Sequence, residues 1–329
     1  MQSQVTAYFK KSRFQSRLLK LGLLLFLGLI LVFPSIAFAG ARNGLLLWWD
    51  ILLPTLLPFM IISGLIIRLR ITRVLSILLY PIFKHILPIS KEGCYPVFIG
   101  FLAGYPVGAK TTADLRQQGV LSTKEAQVLC AFTNNASPMF VLSFIATSNL
   151  ATPKIGLHLL LLLILSSYLS ALLWYFVISK KSYQCCNTVN ATNSTAINVY
   201  PKFQFEMVDD AILCAFEVVT KVGGYILLFS VLASFLTSLP IPFGPITATF
   251  TGILEITTGI HNISALAISL KEKIVLISTI TAFGGLSGFA QTKSVLSGTN
   301  LSSTHYIICK LMSALAAFLL STLYTTFLM

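Results

Sequence analysis

Long apolar runs and short polar ones alternate along the whole chain. Residues 18–39, 45–67, 126–150, 155–178, 208–239 and 303–329 are each apolar over a length that matches a hydrocarbon layer, which predicts transmembrane helices. Other segments break that pattern. Residues 74–89 carry Pro81, Lys84, His85 and Pro88 and are too short to cross comfortably, so an interfacial or broken helix is expected. Residues 95–110 are apolar but hold Gly100, Gly104, Pro106 and Gly108. Backbone groups freed by glycine and proline at membrane depth need a protein-lined or wet surrounding, so this stretch and the polar 111–118 read as a re-entrant hairpin. The span 126–150 is interrupted at Asn134-Asn135-Ala136-Ser137-Pro138. In the second half, 245–267 is a second interrupted segment and 274–293 a second glycine-rich one, expected as a second re-entrant hairpin. The expected fold class is therefore all-α: a polytopic membrane protein with inverted repeats, two re-entrant hairpins and broken helices.

Composition sharpens this. Of 329 residues, 56% are hydrophobic and 10% charged, with a mean hydropathy of +0.85, which excludes a soluble domain. Lys and Arg number 23 against 10 Asp and Glu, a net charge of +13. The cations flank apolar runs and form no stripe, so the expected partner is the lipid bilayer and not nucleic acid. Lys10, Lys11, Arg13, Arg17 and Lys20 before an apolar run mimic a secretory signal, but the run is too long for a signal core and reads as an uncleaved first helix. Cys185 and Cys186 adjoin in the polar, uncharged stretch 179–201, which also carries Asn-x-Thr at Asn190 and Asn193 and reads as a linker. The other four cysteines read as small apolar fillers.

An internal duplication is suggested by Leu102-Ala103-Gly104-Tyr105 against Leu286-Ser287-Gly288-Phe289, by a following lysine in each (Lys110, Lys293), and by Leu121-Ser122 against Leu301-Ser302. Six crossings put both termini and most of the basic residues inside, and the odd crossing 155–178 makes the second half enter from the opposite side. The expected organisation is a basic N-terminus and first helix (1–40), a first repeat (41–154), a connecting helix and linker (155–207) and a second repeat (208–329). Inverted repeats with broken helices are a transporter signature, with the site near the midplane.

Charged residues inside the spans are the candidates for chemistry, since each is costly there. Asp50 lies near an interface. Glu217 and Lys221, four apart, read first as a structural ion pair. Glu255, among Thr251, Gly252, Thr257, Thr258 and Gly259 with no cation near it in sequence, suits either a carboxyl facing a substrate cavity or one satisfied by backbone groups of the other repeat. The Asn134-Asn135 break with Ser137 and Pro138 offers donors and acceptors for a substrate or for a neighbouring helix. Lys110 and Lys293 could form an anion-attracting pair or anchor at the interface. His158 and His261 could relay protons or be structural. No nucleotide-binding loop, zinc-protease helix or activated nucleophile is present in the sequence, so neither ATP hydrolysis nor another enzymatic activity is expected.

The motifs GFLAGYPVGAK at 100–110, LRQQGVLSTKEA at 115–126, AFTNNASP at 131–138, GILEITTG at 252–259 and FGGLSGFAQ at 283–291 resemble the sporulation integral membrane protein YlbJ family, also called SpoVV. The resemblance runs from about residue 45 to the end. It implies a Gate, or nucleoside-recognition, domain similar to a scaffold unit of concentrative nucleoside transporters. It further implies transport of dipicolinate, a flat dianion, across a membrane around the developing spore, the outer forespore membrane, in an endospore-forming Firmicute. By that likeness the expected substrate-binding set is Gly104, Tyr105, Pro106, Lys110, Asn134, Asn135, Ser137, Glu255, Thr257, Ser287, Gln291 and Lys293. No cofactor is expected; coupling to protons or sodium is left open, with Glu255 as the proton carrier if protons serve. A homo-oligomer is expected by analogy. The competing readings are a nucleoside or other small-anion transporter on the same scaffold, and a non-transporting subunit of a membrane complex.

Overall fold

The computed structural model describes residues 17, 20–83, 89–179, 203–239 and 244–328. Lys84, His85 and Pro88, the 180–202 part of the linker with both sequons and the Cys185-Cys186 pair, and the basic residues before Arg17 lie outside the described residues. Everything described is helix or connection, as the hydropathy pattern requires.

The chain opens with α1 (Lys20–Val32), which bends at Phe33 into one run, Pro34–Arg68, of 35 residues. That run comprises α2 (Pro34–Leu47), a π-helical turn (Trp48–Leu52) and α3 (Leu53–Arg68). The expected boundary between a first span ending at 39 and a second starting at 45 is not there. The glycines at its centre, Gly40 and Gly44, are helical, and a side chain on either would collide with Ser230, Val231 or Ser234 of the helix opposite. Here glycine marks a close helix contact, not a turn.

The helix opposite is α9 (Phe205–Thr237), 33 residues long and antiparallel to the first run. Contacts step along both in opposite directions: Arg68 pairs with Asp210 at 2.8 Å, Trp48 Nε1 donates to Val219 O at 2.9 Å, and Phe26 of α1 meets Phe235 edge-on. At about 1.5 Å per residue each run is about 50 Å long, enough to cross a bilayer obliquely.

Against this pair sit two sets of elements in the same order. The first set has a hairpin of α5 (Cys94–Ala103) and α6 (Val107–Gln117), a broken helix of α7 (Thr123–Phe132) and the π-helical Phe140–Asn149, and a closing helix α8 (Gly156–Ser179). The second has a hairpin of α10 (Pro245–Leu254) and α11 (Ile256–Ala265), a broken helix of α12 (Leu270–Phe283) and α13 (Gly285–Val295), and a closing helix α14 (Ser303–Phe327). An additional short helix, α4 (Thr72–Phe83), precedes the first hairpin and packs on α5. The closing helices α8 and α14 pack on each other, joining the two sets.

The order corrects two expectations. The glycine-rich 274–293 is not a hairpin: α12 and α13 meet at Gly284 (φ +85°), do not pack along each other, and form one kinked run of 26 residues, Leu270–Val295, apolar enough to cross. The arms that do fold back in the second half are α10 and α11. The duplication is also differently registered. Ser122 caps α7 by accepting from Glu125 N, and Ser269 caps α12 by accepting from Glu272 N, so Ser122-Thr123-Lys124-Glu125 corresponds to Ser269-Leu270-Lys271-Glu272. Gly100 and Gly108, where the arms of the first hairpin cross, press on Thr133 of the broken helix; Gly252 and Gly259 cross in the second and press on Ile280. These pairs fit one alignment, which leaves Lys110 and Lys293 unrelated.

Candidate functional site

The centre is built at the tip of the first hairpin and the break beside it. Gly104 (φ +79°) turns the chain in a backbone region that L side chains rarely adopt, and a methyl on it would run into Ser137 and the carbonyl of Asn135. The Tyr105-Pro106 peptide is cis, and Tyr105 N donates to Asn135 O at 2.7 Å. Hairpin tip and helix break are thus laced together by backbone groups that membrane depth would otherwise leave unpaired.

At the break, Asn134 reaches into the second half. Its Nδ2 donates to Thr292 Oγ1 on α13 at 2.8 Å and to Tyr306 Oη on α14 at 2.7 Å, while its Oδ1 has no protein partner although the residue is buried. Asn135 turns to the first half: its Nδ2 donates to Phe132 O at 2.6 Å and to Ser167 Oγ on α8 at 3.1 Å. Between the two asparagines lies a lysine. Lys310 of α14, only 4% exposed, donates from Nζ to Asn134 O and, at 3.0 Å, to Asn135 Oδ1. Among the described residues it has no carboxylate partner. Its position at the C-terminal end of α7, where helix carbonyls and macrodipole favour a cation, offsets part of its burial cost.

Glu255 is the opposite case. It is 2% exposed, and it caps α11: its carboxylate accepts from Thr257 N at 3.2 Å, Thr258 N at 2.8 Å, Thr258 Oγ1 at 2.9 Å, and the Thr257 hydroxyl. The groups that satisfy it belong to its own helix and not, as one reading of the sequence had it, to the other repeat. A negative charge on a helix N-terminus is favourable for the same reason as a positive one on a C-terminus. Tyr105 lies within electrostatic reach of both Glu255 and Tyr306, so the hairpin tip, the first break, α14 and the second hairpin converge.

A cavity of about 300 Å³ opens beside this centre, lined among others by Asp50, Thr55, Tyr105, Ser137, Ser143 and Ser148. It lies between the long first run and the hairpin tip, and Asp50 reaches it from the π-helical turn, a distortion that recurs at functional positions.

Of the expected binding set, the structure gathers Gly104, Tyr105, Pro106, Asn134, Asn135 and Ser137, with Glu255 and its partner Thr257 adjoining. Ser287 and Gln291 are buried on α13 and bonded to each other at 3.1 Å, one turn apart. The two lysines line different pockets. Lys110 pairs with Asp114 and faces a separate crevice of about 420 Å³ with Arg68 and Thr111. Lys293 is exposed, in an open groove with Lys221 and Tyr225. Glu217 and Lys221 form the expected pair at 2.5 Å on an exposed face. His158 stacks on Tyr324. Sequence reasoning passed over Lys310, Tyr306 and Thr292; a lysine inside a 25-residue apolar helix was the available signal.

No family model matches the chain, and no solved structure does. Over 315 residues it is 29% identical to the sporulation integral membrane protein YlbJ of Bacillus subtilis (strain 168), covering 86% of this chain and 76% of that protein. That likeness covers most of this chain, and with its long apolar helices the chain is a membrane protein similar to the YlbJ sporulation protein.

Proposed function

We propose that the chain is a transporter that moves a small polar solute across a membrane without altering it, and that the solute is dipicolinate, carried across the outer forespore membrane during sporulation. One observation carries the transport reading: amides, hydroxyls, an ammonium and a carboxylate meet at two broken helices and two hairpins inside a helical membrane protein. Irregular backbone and buried charge at membrane depth are tolerated where they line a passage. The repeated order of hairpin, broken helix and closing helix supports two halves inserted in opposite senses, the usual frame for alternating access. The sporulation role in the name of the YlbJ relative supports the choice of solute, as does a buried cation for a dianion.

A second reading is carried by the neutral groups. Asn134, Thr292 and Tyr306 would suit an uncharged solute such as a nucleoside. The test is uptake of labelled dipicolinate, with labelled uridine in parallel, into vesicles containing only this protein. Dipicolinate uptake that is lost in Glu255→Ala but kept in Glu255→Asp supports the first reading, because aspartate restores both the cap and the charge. Uridine uptake without dipicolinate uptake would replace the solute and keep the transporter.

A further inference from the structure

The transport reading leaves the driving ion open, and the first break speaks to it. We infer that the ammonium of Lys310 occupies the place in which a broken-helix transporter holds its coupling cation, so that transport draws on protons and not on sodium. The inference rests on the transport reading for its consequence, but the occupied place is a separate matter that can be measured without transport.

Half-helix C-terminal ends and unwound carbonyls are where such proteins bind a coupling cation. Among the described residues, the unwound stretch after α7 provides that kind of oxygen cluster: Asn134 O, Asn135 Oδ1, Phe132 O and Ser167 Oγ are joined through Asn135 and its neighbours. The cluster already has its cation. Lys310 Nζ donates to Asn134 O and Asn135 Oδ1, and the Tyr306 ring lies 5.9 Å away on the same helix. A sodium ion sharing those two oxygens would stand within a few ångströms of a like charge, in surroundings that screen it poorly.

A tethered ammonium cannot leave with the solute, but its proton can. The titratable groups facing it are few. They are the Cys130 thiol on α7, the Cys309 thiol and the Tyr306 phenol on its own helix. From α8 come Ser167 and Ser170, and from α13 Thr292, none of which titrates in the accessible range. The titratable residues of α12, Lys271, Glu272 and Lys273, lie in its first turn, where Glu272 is bonded to Ser269 and Lys273 to Ser264 O. No carboxylate among the described residues therefore pins the proton on Lys310. Loss of that proton leaves an amine that can still donate to both oxygens, but it removes the charge that strengthens those bonds and that the end of α7 attracts, which loosens Asn134 and Asn135 together.

The experiment uses the purified full chain. Its thermal unfolding in detergent is compared in sodium chloride and in choline chloride at equal ionic strength, for wild type, Lys310→Ala and the bulkier Lys310→Met. The wild type is expected to melt at the same temperature in both salts. Lys310→Ala, with the oxygens vacated, is expected to gain stability in sodium alone. In vesicles, wild-type uptake is expected to respond to a proton gradient and not to a sodium gradient, and Lys310→Met to lose the proton response. Sodium-specific stabilisation of the wild type overturns the inference, and so does proton-driven uptake that survives in Lys310→Met. If no solute enters under any gradient while the melting pattern is as expected, the transport reading falls and the occupied cation place stands.

Discussion

The two halves share a plan and differ in how each stabilises its buried charge. In the second half Glu255 caps the helix that follows it, and all four donors to its carboxylate come from the next three residues. In the first half the end of α7 is completed by Lys310, a residue 175 positions from the amide oxygen of Asn135 that it holds, on a helix of the other half. One charge is settled locally and the other across the molecule. The first break is therefore one place where the halves feel each other: Asn134 touches α13 and α14, whereas among the described residues the carboxylate of Glu255 bonds within its own hairpin. On the transport reading, a solute that disturbed the first break would disturb both halves at once, as alternation between two states requires.

The largest expected effects break the shared plan itself. An added methyl at Gly108 would strike the carbonyl of Thr133, and one at Gly259 would strike the backbone of Gly252, so neither clash can be relieved by turning a side chain. Gly108→Ala and Gly259→Ala should each lower stability by about 1–3 kcal/mol, the usual cost of overpacking. Melting of the purified variants checks this. If Gly259→Ala melts like the wild type while Gly108→Ala does not, the two hairpins are not equivalent and the comparison fails at its base.

A smaller effect separates the halves at their broken helices. Ser122→Ala and Ser269→Ala each remove a helix cap, which costs about 1 kcal/mol. Ser269 should cost more, because its hydroxyl also donates to the Glu272 carboxylate and that bond is lost, while Glu125 is held by Ser90 N at 2.7 Å and keeps that bond. Denaturation of the two variants side by side reads the difference. Equal losses would mean that the bond from the Ser269 hydroxyl to the Glu272 carboxylate adds nothing.

The crossings near 155–178, 208–239 and 303–329 were legible in the sequence because hydropathy alone decides them, and the first hairpin because Gly104 and Pro106 stand where the chain must turn, whereas the unbroken run 34–68 and the crossing 270–295 were not. The second hairpin was not, since glycine has three uses here that look alike in a string of letters. Gly284 kinks a crossing helix, Gly252 and Gly259 let two arms cross, and Gly40 lets two long helices touch. The backbone angle at Gly284 and the contacts of the others distinguish them, and neither is written in the letters. The duplication was misregistered for a related reason: Leu-x-Gly-aromatic matches are cheap among small residues, whereas the Ser-x-x-Glu caps carry a mechanism. The candidate site was half legible. Asn134, Asn135 and Glu255 announced themselves as polar residues in apolar runs, but Lys310 belonged in the same enumeration, and what completes the break is a contact between halves that no local pattern contains.

The smallest expected effect tests the pairing that the sequence suggested, now that the two lysines are found lining different pockets. If Lys110 and Lys293 drew an anion between them, removing either would weaken uptake to a similar extent. Lys110 instead pairs with Asp114 beside the long helices, and Lys293 stands exposed in an open groove next to Lys221. Lys293→Ala should therefore leave both stability and uptake within about 0.5 kcal/mol of the wild type, as for most exposed positions. Lys110→Ala should lower stability somewhat more, since Asp114 would be left partly buried without its cation. Parallel uptake and melting measurements on the two variants decide it. A matched loss of uptake in both would return the lysines to the substrate path and move the anion's counter-charge away from Lys310.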